Sequence, residues 1–75
     1  MLDAVAVGRA IQEIREAKGY SQEVCSGLAG IGRTHLSAIE RGTRKPTLDT
    51  FYKLSEALDM APWEFLKEIE YITKK

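Results

Sequence analysis

Seventy-five residues allow one small domain, near the lower size at which a single core is adequate. A hydrophobic fraction of 44% and a single Cys fit a soluble globular chain without an intrachain disulfide, so a reducing cytoplasm is the expected setting. No apolar run approaches the ~20 residues of a membrane span. The opening Met1-Leu2-Asp3-Ala4-Val5-Ala6-Val7 has no early Lys or Arg and holds an acid, so it does not read as a signal peptide. The formal net charge is zero, which taken alone argues against a nucleic-acid partner. The distribution matters more. Residues 1–32 carry −1 and residues 48–75 carry −2, whereas residues 33–47 carry +3 through Arg33, Arg41, Arg44 and Lys45 against Glu40.

In chain order, Ala4, Val7, Ile11, Ile14 and Ala17 recur at helical spacing, and Lys18-Gly19 forms a basic last turn with a stop. Ser21 is a good N-cap for a short helix from about Gln22 to Ala29, with Val24 where a capping box would need Glu or Gln. Gly30-Ile31-Gly32 breaks the chain; Gly30 suits a left-handed turn and Ile31 suits an apolar plug between helices. A third helix is expected from about Arg33 to Arg41, with Leu36 and Ile39 inward and Gly42 as its stop. Thr43-Arg44-Lys45-Pro46 is a loop. Thr47 caps a fourth helix to about Leu58 that is expected to bury Leu48, Phe51, Leu54 and Leu58. Pro62 suits the first turn of a fifth helix, with Phe65, Leu66, Ile69 and Ile72 as its inward stripe.

Two short helices joined by a tight glycine turn with an apolar plug form a helix-turn-helix. Such a unit cannot bury its own core, so the first, fourth and fifth helices must pack on it. The expected fold is all-α: five helices in one domain over residues 1–75, the helix-turn-helix at about 21–42, and the last two helices, about 47–72, supplying core and dimerisation.

Longer spaced features sharpen this. Val7-Gly8-x-x-Ile11-x-x-Ile14-Arg15-x-x-Lys18-Gly19-Tyr20-Ser21-Gln22-Glu23, then Ala29-Gly30-Ile31, Leu36-Ser37-Ala38-Ile39-Glu40-Arg41-Gly42 and Pro46-Thr47-Leu48-x-Thr50-Phe51-x-Lys53-Leu54-x-x-Ala57-Leu58 resemble the lambda-repressor-like, XRE-type regulators of bacteria and phages. The resemblance covers about residues 7–66. The short chain is also similar to the controller proteins of restriction-modification systems. Against the family pattern, Gly32 stands where Ser or Thr usually caps the recognition helix, Cys25 and Ser26 where Leu and Ala are common, and Asp59 where Gly is frequent. Gly27 in the second helix costs about 0.5–1 kcal/mol relative to Ala.

The resemblance implies that the third helix lies in the major groove with its N-terminal residues toward the bases. Arg33, Thr34, Ser37 and Ala38 are then the base-contacting candidates; Arg suits a bidentate contact with guanine, and the Ala38 methyl suits a thymine methyl. Gln22, His35, Arg44, Lys45 and Thr47 are the phosphate-contacting candidates, with Gln22 also bracing the recognition helix and His35 open to a base edge or plain solvation. Phosphate contacts position the protein without reading sequence. The resemblance further implies a partly buried structural pair of Arg15 and Glu40. Cys25 reads as a small buried thiol.

The dimer candidates are Tyr52, Trp63, Ile69 and Tyr71. Three aromatics off the core stripes of the last two helices suit an isologous interface, or alternatively cover the edge of a small core. No metal site is expected, because His35 and Cys25 lack companions. No cofactor or small-molecule ligand and no enzyme signature appear. The expected function is a sequence-specific transcriptional regulator binding double-stranded DNA at a palindromic operator as a homodimer. The alternative is a protein-interaction module of the same fold, such as an antitoxin.

Overall fold

Each helix starts or stops on a local device that its sequence supplies. The computed structural model describes residues 3–74, which form five α-helices with no strand among them. These are α1 (Ala4–Ala17), α2 (Gln22–Ala29), α3 (Arg33–Arg41), α4 (Leu48–Ala57) and α5 (Pro62–Thr73). Asp3 caps α1, its carboxylate accepting from the Val5 amide at 3.0 Å. Ser21 caps α2 through the Val24 amide, and Thr47 caps α4 through the Thr50 amide, both at 3.1 Å. Pro62 opens α5, where the Glu64 carboxylate accepts from the Ala61 amide at 2.9 Å. α3 alone among these starts on Gly32 with no side-chain acceptor at all and no compensating carboxylate.

Gly30 ends α2 in the left-handed region at φ 69°, and Gly42 ends α3 at φ 80°. At Gly42 the constraint is double, since a Cβ there would stand 2.6 Å from the Val5 Cα. Asp59, which replaces a frequent Gly of the family, takes the same left-handed conformation at φ 59°. Asp tolerates it better than most residues because its short polar side chain bonds locally.

The helices close on one apolar cluster. α1 gives Val7, Ala10, Ile11 and Ile14; α2 gives Cys25 and Ala29; α3 gives Leu36 and Ile39; α4 gives Leu54, Ala57 and Leu58; α5 gives Phe65 and Ile69. Phe51 and Phe65 stack with ring centroids 4.8 Å apart, joining α4 to α5. Ile31 packs against the cluster from the turn between α2 and α3, as an apolar plug. α1 lies on α3 and α5, and α2 lies on α3 and α4, so both helices of the helix-turn-helix unit are covered from behind.

Three expectations of burial and one of a dimer contact need correcting. Leu48 is 73% exposed and Leu66 is 42% exposed. Adjacent residues differ by about 100° around a helix. Phe65 is fully buried, so Leu66 turns out of the stripe of Phe65, Ile69 and Ile72. Leu48 stands a further step beyond the half-buried Phe51, away from Leu54, and projects past the edge of the cluster. Ala17, in the last turn of α1, is likewise exposed. Ile69, assigned to a dimer interface, is only 1% exposed and belongs to the core, so its side chain has no surface to offer a partner.

Gly8 sets the distance between α1 and α3. A Cβ there would run into the Ile39 carbonyl oxygen and stand 2.8 Å from the Glu40 carbonyl oxygen, both rigid backbone. Gly27, by contrast, faces open space. Gly8→Ala is expected to destabilise the chain by about 1–3 kcal/mol through overpacking, whereas Gly27→Ala is expected to stabilise it by about 0.5–1 kcal/mol through helix propensity. Thermal melting checks both; equal shifts for the two variants would show that α1 and α3 are not in close backbone contact.

Candidate nucleic-acid interface

The inward side of α3 ends in a carboxylate. Glu40 follows Ile39 on the buried face, and its side chain is 2% exposed. Arg15 of α1 meets it with two hydrogen bonds, Nε to Oε2 at 2.6 Å and Nη2 to Oε1 at 3.0 Å. The remaining guanidinium nitrogen donates to the Tyr20 carbonyl at 2.7 Å. Gln22, in the first turn of α2, donates from Nε2 to Glu40 Oε1 at 2.9 Å. One carboxylate thus takes three donors from two helices and fixes the α1–α2 turn through Arg15. The hydrogen bond to Glu40 holds the Arg15 guanidinium above its ordinary pKa, against the opposing pull of burial. No buried side-chain nitrogen or oxygen among the described residues lacks a partner.

With its inner side so held, α3 turns Arg33 and Thr34 to solvent, with Ser37 and Ala38 half-buried on the same side. His35 is half-buried at its edge. After Gly42 the chain folds back on the end of α3: the Thr43 amide, the Thr43 hydroxyl and the Arg44 amide all donate to the Ala38 carbonyl, at 3.0, 3.1 and 3.3 Å. That clustered bonding places exposed Arg44 and Lys45 beside the C-terminal half of α3. Arg44 and Lys45 therefore lie near the end of α3 that carries Arg41, while Arg33 stands at its other end.

Two candidates behave differently from their expected roles. Thr47 spends its hydroxyl on α4, accepting from the Thr50 amide and donating to the buried Thr50 hydroxyl at 3.1 Å. It caps the helix and has no hydroxyl donor left for a phosphate. Ser37 accepts a hydrogen bond from Arg41 Nη1. Spacing gave no role to Gly8, whose fit against α3 only the packing reveals. The i, i+4 spacing of Ser37 and Arg41 is the sequence signal for their contact. Cys25 is fully buried, and burial pushes its thiol above its ordinary value.

The helix-turn-helix family profile matches residues 11–66, spanning α2, α3 and most of their supporting helices. This chain is a member of the helix-turn-helix family. It is 40% identical over 60 residues to the control protein C.BamHI of Bacillus amyloliquefaciens, covering 79% of this chain and 74% of that one. Among solved structures, it superposes with a TM-score of 0.80 and 41% identity on the restriction-modification controller protein C.AhdI from Aeromonas hydrophila, covering 84% of this chain and 96% of that one. The controller protein C.Esp1396I, solved as a tetramer with its natural 35 base-pair operator, superposes with a TM-score of 0.89 at 25% identity, covering 100% of this chain and 99% of that one. The helix-turn-helix chain thus has the all-α, lambda-repressor-like fold, and its relatives are transcriptional regulators. Among the described residues no helix is long and apolar enough to cross a membrane.

Removing the Glu40 carboxylate strands a buried guanidinium and a half-buried amide. Glu40→Ala is expected to cost about 3–5 kcal/mol of stability in denaturant unfolding. A loss below about 1 kcal/mol, the value of an exposed pair, would contradict the buried geometry. Cys25 adds a pH dependence of known sign. Its folded-state pKa lies above the ordinary 9.0, so its contribution is intact below that pH and is lost as pH rises from there through the folded value, the range in which the unfolded thiol is ionised and the buried one still protonated. The stability difference between the chain and Cys25→Ala is expected to be flat up to about pH 9 and to shrink above it; a difference that keeps growing above pH 9 would contradict burial.

Proposed function

We propose that this helix-turn-helix protein is a sequence-specific DNA-binding transcriptional regulator of the controller type. The observation that carries the proposal is the exposed side of α3 flanked by the loop bases Arg44 and Lys45. A neutral chain gains no general attraction to DNA, so what matters is that its one basic window sits at a single surface. α3 enters the major groove with Arg33 and Thr34 toward base edges, and Arg44, Lys45 and the second amide hydrogen of Gln22 hold the phosphates. His35 lies at the rim of the same surface. The protein acts by binding rather than by catalysis, in a bacterial cytoplasm; the lone buried Cys25 suits that reducing setting.

The operator is palindromic and the protein binds it as a homodimer. One short recognition helix contacts too few bases to select a site alone. The support for a dimer lies on α4 and α5. Trp63, Tyr71 and Tyr52 are 67%, 63% and 53% exposed, and Leu48 and Leu66 line one apolar groove of about 290 Å³ between α1, α4 and α5. Burying these apolar side chains against a second copy removes them from water and places two recognition helices about 34 Å apart, one turn of DNA. That C.Esp1396I assembles as a tetramer on its operator supports an oligomer built on this fold.

Arg33→Ala is expected to lose about 1–3 kcal/mol of specific binding and relax preference at one base position. Replacing Arg44 and Lys45 by Ala is expected to weaken specific and random binding alike, lowering the slope of log affinity against log salt by about 1 per lost phosphate contact. Both are measured by binding titrations at several salt concentrations. Unchanged preference for the first variant and an unchanged slope for the second would sink the proposed interface.

For the dimer, sedimentation at micromolar concentration is expected to give twice the chain mass, and a Leu48→Glu, Leu66→Glu variant half of that. A chain that sediments as a monomer and binds half-sites without cooperativity would remove the homodimer.

A further inference from the structure

We infer that Arg41, positioned by Ser37, reads a guanine in the major groove. The inference rests on the reading that α3 lies in that groove. With about 100° between successive residues, Arg33, Ser37, Arg41, Thr34 and Ala38 fall within an arc of about 140°, and Arg41 lies near its centre. The opposite side carries the buried Leu36 and Ile39, and the buried Glu40 borders the arc beside Arg33. Arg41 is therefore central to the exposed face although it stands at the C-terminal end of the helix.

A last-turn arginine ordinarily serves the helix dipole and swings freely into solvent. Arg41 does not. Its Nη1 donates to Ser37 Oγ, one turn toward the N-terminus. The bond draws the guanidinium back along the middle of the face, over the residues that precede it, and away from the helix end. No ion pair among the described residues involves Arg41, so no carboxylate occupies its other donors. The exposed side chain keeps the rest of its planar fork free.

That geometry favours a base over a phosphate. Phosphates line the rims of the groove, while the centre of a helix face lying in the groove points at base edges. A fork fixed in plane by Ser37 retains two parallel N–H donors, which match guanine O6 and N7. Ser37 is then a positioning residue, acting on the base through Arg41, rather than a base contact of its own.

The test is selection of bound sequences from a random duplex pool by the intact chain and by Arg41→Lys, Arg41→Ala, Ser37→Ala and Ser37→Thr. The intact chain is expected to select a guanine at a position other than the one lost in Arg33→Ala. Arg41→Lys is expected to lower preference for that guanine by about 10-fold or more while leaving the salt slope unchanged, because lysine keeps the charge and loses the fork. Ser37→Ala is expected to lower the same preference by a smaller factor, and Ser37→Thr to restore it, with other positions unaffected. Full preference at every position in both Arg41 variants, with a lower salt slope in Arg41→Ala, would overturn the inference and make Arg41 a phosphate clamp. Full preference in Ser37→Ala would overturn the positioning role. An intact chain that selects no sequence would sink the proposed regulator and this inference together, whereas a selected site that survives both Arg41 changes sinks only the inference.

Discussion

The carboxylate of Glu40 is the constraint on which the reading surface depends. A charge at 2% exposure in so small a chain is tolerable only if its oxygens are filled, and Arg15 and Gln22 fill them. The two donor residues come from different helices, so satisfying the charge orients α1 and α2 against α3 at one point. Hydrophobic burial of Leu36 and Ile39 holds α3 to the core but is not directional. The bidentate geometry of Arg15 on Glu40 adds the direction, and the close approach at Gly8 adds the distance. What faces outward from α3 follows from what is held inward.

The sequence was most legible where local chemistry decides the outcome. Ser21, Gly30, Gly42 and Thr47 mark ends of α2, α3 and α4 because capping and left-handed turns are settled within a few residues. Legibility fell where a neighbour from elsewhere in the chain decides. Leu48 and Leu66 satisfy a helical period yet stand outside the core, since a period does not say how wide a stripe the neighbouring helices cover. Ile69 lies in the core as its spacing on the inward stripe of α5 implied, with α1 packed on that helix, so its second assignment to a dimer interface fails. Thr47 was legible as the cap of α4 but not in its second role at a phosphate, because the buried Thr50 hydroxyl takes its one donor.

The same limits explain the electrostatics. A net charge of zero spreads over the chain as a weakly acidic body with one basic window. The fold converts that window into a surface, because the amides of Thr43 and Arg44 bind the Ala38 carbonyl and bring the loop against the end of α3. A chain of this size also cannot enclose all its apolar side chains, and Leu48, Tyr52, Trp63 and Leu66 of α4 and α5 stay exposed. The proposed DNA surface and the proposed dimer surface thus rest on different helices and meet at Lys45, which also lines the apolar groove.

The most direct test of α3 and its loop as the DNA surface is a map of backbone amide chemical shifts during titration with a short duplex carrying one selected site. The largest changes are expected at Gln22, at Arg33 to Ala38 and at Arg41 to Lys45, with Leu66, Lys67 and Tyr71 of α5 little changed. Large changes along α5 with α3 silent would contradict the interface.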